Sequence, residues 1–222
     1  MITTTTKASQ CIKVFPDGTA LWEIGADRIV DFSMSVFEVY KAVFGLDGLK
    51  PFGELLMEDV MLMTRFAKHF AITAMDGSIL TTGRVMEKRP EIAFPLELPP
   101  FNINIAAAAD RLGLKSARMF HGGRVSTHKG RLRQHGFRRS KADELFGRIN
   151  QYAMASLRPD NRTAFFGELD QIAVRIYKRQ GIPTHVLGEA QMYYGSLTFP
   201  VVVEIGAARS DHWLARLEEY QL

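Results

Sequence analysis

Apolar side chains recur at helical spacing over residues 29–44 (IVDFSMSVFEVYKAVF), with Val36, Tyr40, Val43 and Phe44 on one side. Gly45 and Gly48 end that run. A second helical pattern covers 54–67 (ELLMEDVMLMTRFA). The pattern then switches to strands: HFAITAM and SILTTGRVME flank Asp76-Gly77, a dipeptide that accepts the positive φ of a tight hairpin turn. Prolines between Pro90 and Pro100 interrupt regular structure, and 102–112 reads as a helix closed by Gly113. Residues 116–126 (SARMFHGGRVS) form a strand, in which Gly122-Gly123 marks a bulge or a close backbone approach. Ser140 caps a helix with Leu145, Ile149, Tyr152, Ala153 and Leu157 on one face. TAFFGEL (163–169) is a buried strand, and Asp170 caps a helix that runs to Gln180 and stops at Gly181 and Pro183. Strands around 184–187 and 197–205 follow, the last at an edge or bent at Pro200, and residues 210–222 read as a terminal helix. The first strand expected in this order is that at 69, and strands alternating with helices predict an α/β (α+β mixed) fold with helices on both faces of a mixed, twisted sheet. Residues 1–10 are expected to be a disordered tail and 11–222 a single domain, since no linker or internal repeat divides the chain.

Composition narrows the class. The 222 residues are 46% hydrophobic and 23% charged, ordinary globular proportions that exclude wholesale disorder. No stretch approaches the ~18 consecutive apolar residues of a membrane span. Met1 to Lys7 lacks the apolar core of a signal peptide. Cys11 is the only cysteine, so there is no disulfide within the chain and no cysteine-based metal cluster. These features predict a cytoplasmic protein. The net charge of +4 is modest, but residues 129–141 (KGRLRQHGFRRSK) hold a dense run of Lys and Arg with no acid. Such a run points to an anionic partner: phosphate, nucleic acid or an acidic protein.

Two segments resemble the GNAT acyltransferase superfamily. Arg133-Gln-His-Gly136-Phe-Arg138 is similar to its phosphate loop, Gln/Arg-x-x-Gly-x-Gly/Ala, with Arg138 in place of the small residue. Asp170-Gln-Ile-Ala173-Val-Arg-Ile-Tyr177-Lys-Arg-Gln-Gly181-Ile182 is similar to its Asn-x-x-Ala-x-x-x-Tyr-x-x-x-Gly-Phe segment, with Asp170 for Asn and Ile182 for Phe. Within the superfamily, three features resemble the acyl-homoserine-lactone synthase and N-acyl amino acid synthase branch: Gly83-Arg84 at the end of the second hairpin strand, His121-Gly-Gly-Arg124 in place of Glu-x-x-Arg, and VLGEAQMYYGSLTFPVVVEI as the closing hairpin. The N-terminal third lacks the Arg, Trp and Asp pattern of lactone synthases, which leaves the amino-acid-acylating branch open.

The resemblance implies a splay between central strands and an N-acyltransferase. That enzyme would move an acyl group, fatty in this branch, from an acyl-carrier-protein or acyl-CoA thioester to the amine of a small amino-acid-like acceptor. No permanently bound cofactor is implied; the phosphopantetheine thioester is a substrate. Tyr177 is the implied general acid for the thiolate. Glu168 or His121 is the candidate base, Glu168 having the alternative of a solvated strand-end carboxylate or a partner of Arg175, and His121 that of a satisfied hydrogen-bonding residue on a strand. Arg84 and Arg124 are candidates to hold a substrate carboxylate or the carboxylates of a positioning network. Arg131, Arg133, Gly136, Arg138 and Arg139 are candidates for the donor's phosphates. His121, His128 and His135 recur every seven residues but cross a strand and a loop, so no metal site is expected. The Met57, Met61, Met63, Phe66 and Phe70 cluster reads mostly as core, with an acyl-chain pocket as the alternative. Acyl carrier protein is favoured as the partner over coenzyme A, because the basic run exceeds the needs of one pyrophosphate and carrier proteins are acidic. The competing readings are a non-catalytic acyl-thioester-binding protein and a basic-loop nucleic-acid-binding protein, the latter opposed by Phe137 being the loop's one aromatic.

Overall fold

A computed structural model describes residues 7–45, 49–63, 66–114, 118–156, 163–179 and 181–204. The helix expected at 210–222 lies outside these residues. Nine strands are present among them: β1 (Gln10–Val14), β2 (Ala20–Ile24), β3 (Ala67–Thr73), β4 (Ile79–Glu87), β5 (Met119–Thr127), β6 (Ala164–Asp170), β7 (Thr184–Val186), β8 (Gln191–Tyr193) and β9 (Ser196–Glu204). The helices are α1 (Ile29–Phe44), α2 (Phe52–Met63), α3 (Ile105–Arg111), α4 (Lys129–Gln134), α5 (Lys141–Ala155) and α6 (Gln171–Arg179). The strands join in the order β1-β2-β3-β4-β5-β6-β9-β7, with β8 paired to β9. The β5–β6 pair is parallel and β1–β2, β2–β3, β6–β9, β7–β9 and β8–β9 are antiparallel, so the sheet is mixed.

The chain divides into two compact units, one of residues up to Val85 with Arg124–Ala153, the other of Met86–Gly123 with residues from Met154 on. In the first, α1 and α2 form a core with the sheet in which Ile24, Ile29, Phe32, Val36, Leu55, Ala71 and Ile79 are buried. Fully burying a side chain such as Phe32 contributes roughly 1.5–3 kcal/mol. The β1–β2 hairpin is an addition to the sequence-based order. Its turn residue Asp17 accepts from Lys141 and, at 2.8 Å, from Arg148. Part of the expected tail is also structured: Ser9 hydrogen-bonds Asp27 through both its N–H (2.7 Å) and its hydroxyl (2.8 Å), and β1 begins at Gln10. Val43, expected on the inner side of α1, is exposed, as are Met57 and Met61 of α2. Only one α1–α2 face can meet the sheet, and the apolar residues of these helices exceed it. Phe70, on β3, is fully buried.

In the second unit, β6 lies between β5 and β9, which explains its nearly unbroken apolar run. β9 is an internal strand, not an edge. Pro200 falls between the stretch of β9 that pairs with β8 (196–198) and the stretch that pairs with β7 (201–203), so the missing N–H interrupts neither ladder. Asp170 caps α6 by accepting from the Ala173 N–H at 2.7 Å. Phe94, fully buried in the segment before α3, packs its ring on His121 (5.3 Å between centroids) and Phe166 (6.4 Å).

Candidate active site

The β5–β6 ladder runs from Met119↔Ala164 to Gly122↔Gly167 and ends there, although β5 continues to Thr127 and β6 to Asp170. Two glycines therefore face each other where the parallel pairing stops. A Cβ at Gly122 would lie 2.1 Å from Cε1 of Phe165, a separation that real atoms do not adopt, so the ring occupies the space a side chain would need. One residue before this point, on the opposite face, His121 places Nε2 3.0 Å from both carboxylate oxygens of Glu168. Both side chains are buried, at 1% and 8% exposure, and His121 Nδ1 has no hydrogen-bond partner among the described residues. The two candidate bases are thus one hydrogen-bonded pair.

Tyr177 lies on the inner face of α6, 4% exposed. Burial pushes its hydroxyl well above the ordinary tyrosine range, so the group holds its proton at neutral pH.

In the first unit, Arg84 on β4 and Arg124 on β5 close on the acidic pair Glu58-Asp59 of α2. Arg84 Nη1 donates to Asp59 at 2.9 Å and to Glu58 at 3.2 Å. Arg124 Nε donates to Asp59 at 3.1 Å, and its Nη2 lies 3.1 Å from Glu58. Ser33 of α1 donates to the second Asp59 oxygen at 2.9 Å, and His69 Nε2 stands 3.8 Å from the carboxylate. Burial alone would raise the Asp59 pKa; His69, Arg124 and Arg84 outweigh it and hold the carboxyl far below its usual range. Burial keeps His69 neutral by lowering its own pKa. Arg124 has φ +56°, a left-handed conformation that costs a non-glycine residue roughly 1–2 kcal/mol. Thr82 Oγ1 donates to the Arg124 carbonyl at 2.7 Å and fixes the kink. Both guanidinium groups are therefore committed to protein carboxylates. Asp59, which completes the network, carries no local signal beyond being an acid in an apolar helix.

The basic run is not one loop. It begins with α4, capped by His128, which accepts from the Arg131 N–H at 3.2 Å. Arg131 is engaged: it donates to Glu38 at 2.6 Å and to the Ile79 carbonyl at 3.0 Å. Gly136 turns the chain after α4 at φ +71°, a conformation glycine adopts without steric cost. Arg133, Arg138 and Arg139 are exposed. The three spaced histidines have separate partners: His121 meets Glu168, His128 lies 3.4 Å from Glu38, and His135 lies 2.9 Å from Ser78 Oγ and 3.5 Å from Asp76. Among the described residues no group of three or more His, Cys, Asp or Glu is arranged to hold a metal ion.

No family model matches the sequence and no curated protein matches it. Solved structures do match the fold. FeeM, an N-acyl amino acid synthase from uncultured soil microbes, superimposes with a TM-score of 0.52 at 12% identity over 83% of this chain and 89% of its own. LasI, an AHL synthase, gives 0.52 at 12% identity over 81% and 84%. BjaI, a CoA-dependent acyl-homoserine lactone synthase solved with SAM and isopentyl-CoA, gives 0.51 at 11% identity over 87% and 83%. At these identities the likeness is one of fold: the chain has the GNAT-type architecture these structures share.

Proposed function

We propose that the protein is an N-acyltransferase that moves a fatty acyl group from a thioester to the amine of a small, amino-acid-like acceptor. The observation that carries this reading is the buried His121–Glu168 pair beside the point where the parallel β5–β6 ladder ends at Gly122 and Gly167. Strands that stop pairing leave backbone N–H groups free to bind a thioester carbonyl, and an adjacent base can take the proton of the attacking amine. FeeM and the lactone synthases, similar in fold, are by name enzymes of amine acylation, which supports the assignment.

In this reading His121 and Glu168 form the basic group. Tyr177, protonated at neutral pH as tyrosines are, gives a proton to the departing thiolate. Arg84 and Arg124, held by Glu58 and Asp59, position the end of β4 and the kink in β5 and do not bind a free carboxylate. The donor's phosphates meet Arg133, Arg138 and Arg139, around the Gly136 turn, whereas Arg131 braces α4 against Glu38. Acyl carrier protein is the favoured donor, since exposed cationic side chains speed and orient encounter with an acidic protein. Incubating the purified chain with palmitoyl-carrier protein or palmitoyl-CoA and a mixture of amino acids, with mass spectrometry of the products, tests the assignment. N-palmitoyl amino acids are expected from the wild type; thioester hydrolysis alone would remove it.

A further inference from the structure

The geometry points to one nitrogen of His121 as the base, and to Glu168 as the residue that selects it. We infer that Glu168 holds His121 as the Nε2–H tautomer, leaving the buried Nδ1 as the bare lone pair that takes the amine's proton. This inference rests on the acyltransferase reading above. It divides into two roles a pair that sequence alone offered as alternatives.

Nε2 lies 3.0 Å from each oxygen of Glu168. An ionised carboxylate only accepts, so the ring nitrogen it faces is the one that carries the hydrogen. Nδ1 supplies the second argument. It is buried and has no hydrogen-bond partner among the described residues. The opposite tautomer would leave an N–H donor buried without an acceptor, which folded proteins avoid more strongly than an unused acceptor lone pair. Both constraints choose Nε2–H. The Phe94 ring, 5.3 Å from the imidazole, limits the ring's freedom to turn, and Phe94 itself is fully buried. What remains is an acceptor fixed in place beside the Phe94 ring. The counter-charge for the resulting imidazolium is in place, since Glu168 faces its other nitrogen.

The step balances without a co-reactant. The amine lone pair forms the C–N bond to the thioester carbonyl carbon while one N–H proton passes to Nδ1. Collapse of the tetrahedral adduct breaks the C–S bond. The thiolate leaves as the thiol with a proton from Tyr177, and the imidazolium's proton makes up that loss. Amine and thioester become amide and thiol. Glu168 touches neither reactant; it is a positioning residue.

The test begins with nitrogen NMR of the ¹⁵N-labelled ligand-free chain at neutral pH, with His121→Gln identifying the resonances. The expected spectrum shows an Nε2–H proton and an unprotonated Nδ1. In Glu168→Leu that preference is lost; in Glu168→Gln, whose amide oxygen still accepts, it is kept. With palmitoyl-carrier protein and the amino-acid mixture, Glu168→Leu lowers kcat by on the order of 100-fold or more with little change in the amine's KM, and Glu168→Gln lowers it less. A protonated Nδ1 in the wild type overturns the inference whatever the activity. An unaltered kcat in both His121→Gln and Glu168→Leu overturns it too. Absence of acyl transfer from any thioester would sink the functional reading on which it rests, and the tautomer would still be decided by the spectrum.

Discussion

Gly122 and Asp59 are the positions where a single atom decides most. A methyl group at Gly122 would overlap the Phe165 ring, so Gly122→Ala should lower stability by roughly 1–3 kcal/mol in urea unfolding. In a Phe165→Ala background the cost of Gly122→Ala should shrink, because the overlap disappears; strictly additive effects would deny the contact. Asp59→Asn removes the charge that compensates Arg84 and Arg124 and should cost about 3–5 kcal/mol, against well under 1 kcal/mol for an exposed acid such as Asp31. Because the folded Asp59 pKa is depressed, its contribution is fully present above the ordinary aspartate range and is lost as pH falls through the lower folded value. His69 acts at milder pH. Its folded pKa is lowered by burial, so the unfolded chain binds the proton first, and stability declines as pH drops below about 6.5. Urea midpoints across pH should show this decline in the wild type and a flatter profile in His69→Gln, with the part that remains assigned to His128. The residue types Arg84, Arg124, His121 and Glu168 were legible in the sequence, but their partners were not. Arg124 and Asp59 are 65 positions apart and His121 and Glu168 are 47 apart, distances over which no periodicity reports contact.

At the scale of elements, segments with buried apolar residues were read correctly and an exposed strand was missed. The helical period of α1 and the Asp76-Gly77 turn signal translate directly into α1 and the β3–β4 hairpin. The β1 strand is exposed or half-exposed along its length, so it carries no hydrophobic alternation to find; the Asp17-Gly18 turn was the available signal. Within 129–141 the charge density concealed the short α4, whose one fully buried apolar residue is Leu132. That helix divides the basic run into a brace and an exposed face. Arg133→Glu with Arg138→Glu should weaken donor binding about tenfold or more in isothermal titration with palmitoyl-carrier protein while leaving the melting temperature within a degree or two, since exposed charges contribute little to folding. Arg131→Ala should do the reverse, because its guanidinium is spent on Glu38 and the Ile79 carbonyl. Unchanged donor affinity in the double variant would remove the phosphate role from this face.

For the whole molecule, alternating strands and helices were enough to indicate a mixed sheet, the type of sheet was suggested by the resemblance of two motifs, 133–138 and 170–182, and the likeness in fold to FeeM and LasI agrees with it. Chemistry was less legible, since one architecture can host many different reactions. If the exposed arginines select an acidic carrier, turnover with palmitoyl-carrier protein should exceed that with palmitoyl-CoA at low ionic strength, and the advantage should fade as salt is raised. The central claim is amine acylation at His121, and it is tested most directly by mass spectrometry of organic extracts from cells overproducing the wild type, His121→Gln or Glu168→Leu. The account predicts fatty N-acyl amino acids with the wild type and their loss in both variants at equal soluble expression. The same extract from all three, or acylated products that persist without His121, would contradict it.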